Sequence, residues 1–183
     1  MPITNAKNKL DKLLTRTKKL AYPQLAPYLI KARLATYAPF VGAGIRMDLI
    51  DLDNSLCVVS MPLTRLNRNV VGTQFGGSLF MMTDPFFMLM LMHKLGKDYV
   101  VWDKASSIDF ITPGTSTVTA RMHIDVAEIN TIITLAKSGA PVFREYHIDI
   151  TDEAHKVVAK VQKTVYIRLR SFSKSKSQTI QND

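Results

Sequence analysis

The sequence predicts an α+β domain in which a mostly antiparallel sheet wraps one buried helix, and three observations predict it. Residues 77–95, GSLFMMTDPFFMLMLMHKL, are apolar on nearly every helical face, so the helix they form must be enclosed by other elements. Two segments alternate strictly. In 116–126, Val118, Ala120, Met122, Ile124 and Val126 interleave with Thr117, Thr119, Arg121, His123 and Asp125; in 155–169, Val157, Ala159, Val161, Val165, Ile167 and Leu169 share one face. The chain of 183 residues, 46% hydrophobic and 21% charged, is long enough for one domain with a sizeable core.

The elements follow in order. Residues 6–20 set Leu10, Leu13, Leu14 and Leu20 near helical spacing among lysines, a short basic amphipathic helix that packs on its own domain or lies on an anionic membrane. Tyr28 to Tyr37 reads as a second helix stopped by Pro39. From Gly42 the period changes, and residues 43–50 and 54–61 form a hairpin about the polar corner DLDN. The loop LTRLNRNVVGTQ leads into the apolar helix, Gly77 to Leu95, which Gly96 closes. Residues 100–111 and 142–150 are strands by composition. Between strands, DVAEINTIITLAKSG is helical, with Asp125 and Glu128 as a capping pair, a stripe of Ile129, Ile132, Ile133 and Ala136, and Gly139 as terminator. The division is a helical extension over 1–40, a sheet-and-helix domain over 41–171 and a polar, disordered tail over 172–183.

Composition narrows the function classes. A single cysteine, Cys57, within the strand-like NSLCVVSM, excludes an internal disulfide framework and fits a buried core position in a cytoplasmic protein. The N-terminus has no continuous apolar segment of signal-peptide type, and the run Pro85 to Met92 is far shorter than a membrane span. The net charge of +9 favours anionic partners, but much of it crowds the two ends, and basic patches interleaved with aromatics, the footprint of nucleic-acid binding, are missing. His93, His123, His147 and His155 have no metal-ligand spacing, and neither a P-loop nor a dinucleotide fingerprint is present.

The stretch NVVGTQFGGSLFMMTD resembles the signature of hot-dog-fold acyl-CoA thioesterases of the phenylacetic-acid-pathway type. Asn69, Gly72, Gly76, Gly77 and Asp84 fall in register with that pattern, whose two histidines fall on Val71 and Phe75. SSIDFITPG looks like the strand after the central helix. The leading helices, WDKASSIDF and the helical insertion look most like the branch called domain of unknown function 4442. The resemblance spans roughly residues 40–170 and is specific only over 69–84. It implies a hot-dog fold, an acyl-CoA or other acyl-thioester substrate, no cofactor beyond the coenzyme A of that substrate, and a homodimer or dimer of dimers whose glycine N–H and aspartate come from opposite subunits.

The residues fit that chemistry. Gly76 and Gly77, without side chains, let a substrate carbonyl approach free N–H groups at a helix start, where negative charge is stabilised. Asp84 is the candidate general base or nucleophile, and desolvation among Met and Phe side chains would raise its pKa. Asn69 orients the aspartate, the water or the loop. Thr73, Phe75, Met81, Lys104 and Ser107 are candidate substrate contacts, with Lys104 either meeting a coenzyme A phosphate or simply solvated, and a Met-rich wall (Met81, Met82, Met88, Met90, Met92) either lining an acyl tunnel or filling core. Asp84-Pro85 is also a good N-cap followed by a first-turn proline. Two readings therefore stand: a helix starting at Asp84, or a longer helix kinked by Pro85, which the resemblance favours. Likewise, Phe75 and Val71 in place of polar residues leave a non-catalytic acyl or lipid carrier beside the hydrolase.

Overall fold

The computed structural model describes residues 26–173. The expected helix over 6–20 and most of the expected tail lie outside them. The described chain runs α1 (Ala26–Ala35), α2 (Ala38–Ala43), β1 (Arg46–Asp51), β2 (Leu56–Met61), α3 (Gly76–Met81), α4 (Phe86–Leu95), β3 (Tyr99–Phe110), β4 (Val118–His123), α5 (Val126–Ala136), β5 (Val142–Asp152), β6 (Val157–Leu169) and α6 (Arg170–Ser173). Six strands form one sheet in the order β1-β2-β4-β5-β6-β3, every neighbouring pair antiparallel. The α+β hot-dog architecture expected from the sequence is the observed one. The chain leaves β2, crosses the sheet through α3 and α4, and returns as β3 on the far edge.

Alternation determines which side of each strand is dry. Val118, Ala120 and Met122 on β4, Ile148 and Ile150 on β5, and Val161, Val165 and Ile167 on β6 are all at most 1% exposed. Against them lie Phe86, Met90 and Leu91 of α4 and Ile132 of α5, likewise fully buried. Burying side chains of this size contributes about 1.5–3 kcal/mol each. Cys57, on the inner face of β2, is wholly buried, and burial pushes its thiol up to about 12. It is a core residue.

Four local readings need correction. Pro39 does not stop a helix; it opens one, at the first turn of α2, where its missing N–H costs nothing. Gly44, at φ 75°, then closes α2 in the left-handed region. The long apolar helix is two helices, since α3 ends at Met81 and α4 begins at Phe86. Asp125 makes no side-chain cap on α5, its carboxylate lying 3.4 Å from His123 Nδ1, and Glu128 turns to Arg144 on β5, at 2.6 and 2.7 Å from its Nε and Nη2. Finally, α6 carries the chain past 171, and the ring of Phe172 covers Gly139, where a Cβ would sit 2.6 Å from Phe172 Cδ1.

Candidate active site

The segment leading to α3 is held by two polar side chains. Gln74 is buried and donates from Nε2 to the carbonyls of Met61, on β2, and Ser116, before β4 (2.9 and 3.0 Å), while its own N–H donates to Gly114 O. Asn69 organises the turn before it. Its Oδ1 accepts from the N–H groups of Val71 and Thr73, and its Nδ2 donates to Thr73 Oγ1 and, more weakly, to Gln74 O. Of the roles open to Asn69, the geometry assigns orientation of the loop. Thr73 belongs to the same knot.

Gly76 and Gly77 are the first residues of α3, where N–H groups have no acceptor within the helix. Each is covered by an aromatic ring. A Cβ on Gly76 would lie 2.8 Å from Cζ of Phe110, and one on Gly77 would lie 2.7 Å from Cε1 of Phe75. Both rings are themselves exposed, at 59% and 54%. A side chain at either position would displace the ring that covers it. Below Phe75, a cavity of about 320 Å³ runs along α3, lined by Phe75, Ser78 and Met81 and, opposite, by Pro39, Leu66 and Arg68.

The helix breaks at Met82–Pro85 because Pro85 has no N–H to give and its ring would clash with the Met81 carbonyl. That carbonyl is taken instead by the Asp84 N–H at 3.1 Å, and Thr83 closes the turn by donating from Oγ1 to Phe80 O. Neither helix reading of Asp84 holds in full, since Asp84 lies in the break and makes no side-chain cap on α4. Its side chain is 58% exposed, so the desolvation expected around it is absent.

What holds Asp84 is Lys163. This lysine, on the inner face of β6, has a side chain only 2% exposed, and its Nζ donates to Asp84 Oδ1 at 2.6 Å and to Asp103 Oδ2, on β3, at 2.9 Å. Asp103 Oδ1 is buried without a partner. Burial is the main cause that pushes the Asp103 carboxyl above the usual range, with the Asp84 carboxylate adding to it and Lys163 opposing. Two acids thus share one buried ammonium, and the exposed acid is Asp84.

The remaining candidates separate. Phe75 and Met81 line the cavity. Met82 and Met90 are completely buried and belong to the core, which removes them from any tunnel wall. Ser107 pairs in register with Gln162, and Lys104 lies at a bulge of β3 with its ammonium 5.2 Å from the Phe143 ring. That ring is on the outer face of the sheet, beside stacked Trp102 and Tyr166. The fold does not bring Lys104 or Ser107 to the Asp84 side. The principal site residue missed from sequence is Lys163. The signal was a gap: on the face Val157, Ala159, Val161, Val165, Ile167, Leu169, position 163 is the one polar member. Asp103 gave no such signal, because β3 is exposed along most of its length and alternates poorly.

No curated protein matches the sequence. Solved structures similar to the chain share its fold at low identity. A Pseudomonas aeruginosa protein of unknown function, described as a probable thioesterase, is 19% identical with a TM-score of 0.67, covering 78% of this chain and 96% of its own. A Haemophilus influenzae thioesterase is 17% identical with a TM-score of 0.56, covering 75% and 87%. The E. coli PaaI protein of the phenylacetic acid degradation operon is 23% identical with a TM-score of 0.52, covering 74% and 87%. The family model that matches spans residues 27–167, most of the chain, and the chain therefore belongs to the domain of unknown function 4442 family.

Proposed function

We propose that this chain hydrolyses acyl thioesters, with acyl-CoA carrying a fatty or aryl group as the substrate class. The observation that carries the reading is the Lys163–Asp84 contact. A solvent-reaching carboxylate is fixed at 2.6 Å by a buried cation, at a helix break, on a fold shared with thioesterases. In this scheme Asp84 accepts a proton from water as the water attacks the thioester carbonyl, or attacks the carbonyl itself. The first N–H groups of α3 receive the developing oxyanion. On the water route the C–S bond then breaks, the thiolate takes up the proton held by Asp84, and carboxylic acid and thiol leave. On the direct route C–S cleavage leaves a mixed anhydride on Asp84 and a thiolate that is protonated from water, and a second water cleaves the anhydride to free the acid and restore Asp84. The cavity along α3 suits the acyl group, because Phe75 and Met81 offer it an apolar wall. Coenzyme A enters only as part of the substrate.

A homodimer completes the proposal. Among the described residues β3 ends the sheet, and a twelve-residue edge strand with one side open is a template for a second copy. Among the described residues no helix is long and apolar enough to cross a membrane.

One specific observation favours a second reading, an acyl-thioester binder without turnover: the rings of Phe110 and Phe75 lie over Gly76 and Gly77, where the oxyanion would be received. Hydrolysis of an acyl-CoA panel, followed by free-thiol release for wild type and Asp84→Asn, decides between them. We expect wild-type turnover and a loss of about 100-fold or more in the variant, with the fold retained. Binding of acyl-CoA with no turnover in either protein selects the binder.

A further inference from the structure

We propose that Lys163 is a positioning residue that ties Asp84 to Asp103 across the helix break, so that the charge on Asp103 governs how Asp84 is held. For its purpose this rests on reading Asp84 as the reactive carboxylate; its geometry is testable without substrate.

Lys163 supplies one positive charge at 2% exposure, and two carboxyls contact it, so full ionisation leaves a net negative charge around a buried nitrogen. The two acids are not equivalent. Asp84 is mostly in water, which stabilises its anion, whereas Asp103 is 21% exposed and buries Oδ1 without a donor. A carboxylate oxygen lacking a donor is costly as an anion and much less so as part of a neutral acid. Burial and the Asp84 charge both act on Asp103 in that direction. When groups interact this strongly, protons leave in macroscopic steps that belong to the set.

Among the described residues the surroundings supply no competing charge. From β5, Tyr146 is paired in register with Lys163, but its hydroxyl donates to Glu128, whose charge is matched by Arg144, and its ring stacks on Phe87 of α4. From β3, Ser106 stands opposite Lys163 and donates its hydroxyl to Gln162 O. The ionisable side chains of α4, His93 and Lys94, are engaged at the other end of that helix with Asp53, in the β1–β2 turn. Asp84 and Asp103 are thus the partners of this ammonium, and the break at Met82–Pro85, which lacks continuous helical hydrogen bonding, is tied to the sheet through it.

The consequence is functional. With Asp103 protonated, Lys163 and Asp84 form a neutral pair, and Asp84 is held as a single oriented anion. Once Asp103 ionises, it competes for Lys163 and repels Asp84. Activity should therefore fall as Asp103 ionises.

The test is a pH titration of aspartate side-chain ¹³C resonances in the full chain, with Asp84 assigned by loss of its signal in Asp84→Asn. In wild type the Asp84 signal should shift as Asp103 ionises. Asp103→Asn, whose amide oxygen still accepts from Lys163, should abolish that shift. Lys163→Met should weaken it and reduce turnover about 100-fold, with partial rescue by Lys163→Arg. An Asp84 signal that carries no response to Asp103, the same in wild type and Asp103→Asn, overturns the inference. If Lys163→Met does not fold, Asp103→Asn decides alone. Linked titration without thioester turnover ends the hydrolase reading and leaves the link between the carboxyls; turnover with independent titrations does the reverse.

Discussion

Asp103 sits where an anion is disfavoured, and stability should record it. Burial raises this carboxyl above its ordinary value of 3.8, the Asp84 charge raises it further, and Lys163 opposes both. Between the ordinary and the raised value, the native state keeps a proton that the unfolded chain has lost, so the native state binds more protons and stability falls as pH rises. The contribution is fully present below the ordinary carboxylate range and is lost as pH climbs through the raised one. Asp103→Asn cannot ionise and should lack this slope. Chemical unfolding from pH 4 to pH 8 should find the variant gaining on wild type as pH increases; a constant difference across the range would remove the claim. The same residues mark the limit of what the sequence made legible. Cys57 could be placed in the core because an isolated cysteine in an apolar strand has few other uses, and it is wholly buried. Asp84 stood out as a charge in an apolar run. Lys163 was visible only as a break in an otherwise apolar face. Its partner Asp103 was not visible at all, because pairing across β3, β6 and a helix break is a tertiary fact.

At the scale of elements, what was legible depended on whether local chemistry had one outcome or two. The stripe on α5 and the alternation on β6 have one solution each, and Ile129, Ile132, Val161 and Ile167 are buried as the pattern requires. The alternation over 116–126 holds only through β4 and Ile124, and Val126, expected on the dry face, begins α5 instead and is 71% exposed. Pro39 and Pro85 have two, since proline both ends and begins helices, and packing chose. Glu128 is the instructive case. Three residues after Asp125 it has the spacing of a capping box, yet a bidentate pair with Arg144, plus the Tyr146 hydroxyl at 3.3 Å, outcompetes a cap. Such a pair joins α5 to β5 with charge-assisted bonds roughly twice as strong as neutral ones. Glu128 also raises the Arg144 guanidinium, and burial first, then Glu128, raises the Tyr146 phenol while Arg144 opposes. Glu128→Gln should destabilise the domain by about 1–2 kcal/mol, a few degrees in melting temperature, because the half-buried Arg144 loses its counter-charge. Turnover at a temperature where both proteins are folded should be little changed. Loss of activity without loss of stability would show that α5 reaches the site in a way the contacts do not suggest.

For the whole molecule, the sheet order has a consequence that none of its parts carries. Sending β3 to the far edge leaves Tyr99–Phe110, among the described residues, bonded to β6 on one side only, and burial along it is poor, with Trp102 and Phe110 about half exposed. A long, regular edge strand is normally blunted by lysine, proline or a short length. Here the segment Ala105–Asp109 contains Ala105, Ser106, Ser107 and Ile108, with no proline and no lysine. The bulge at Lys104 lies before it, so the edge beyond is straight enough to pair. A two-fold axis normal to the sheet would set this strand antiparallel to its copy and continue the sheet from one subunit into the next. Asp84 and its ammonium are fixed to β3 through Asp103, so the same pairing would bring a second copy close to the site. Placing lysines at 105 and 107 would set like charges against each other across the axis, which destabilises antiparallel pairing. We expect wild type to sediment as a dimer or larger at micromolar concentration, and Ala105→Lys combined with Ser107→Lys to sediment as a monomer with its secondary structure intact and its thioesterase activity reduced. A wild-type monomer that turns over acyl-CoA would mean that one copy of the chain carries a complete site, and the role proposed for the β3 edge would fall.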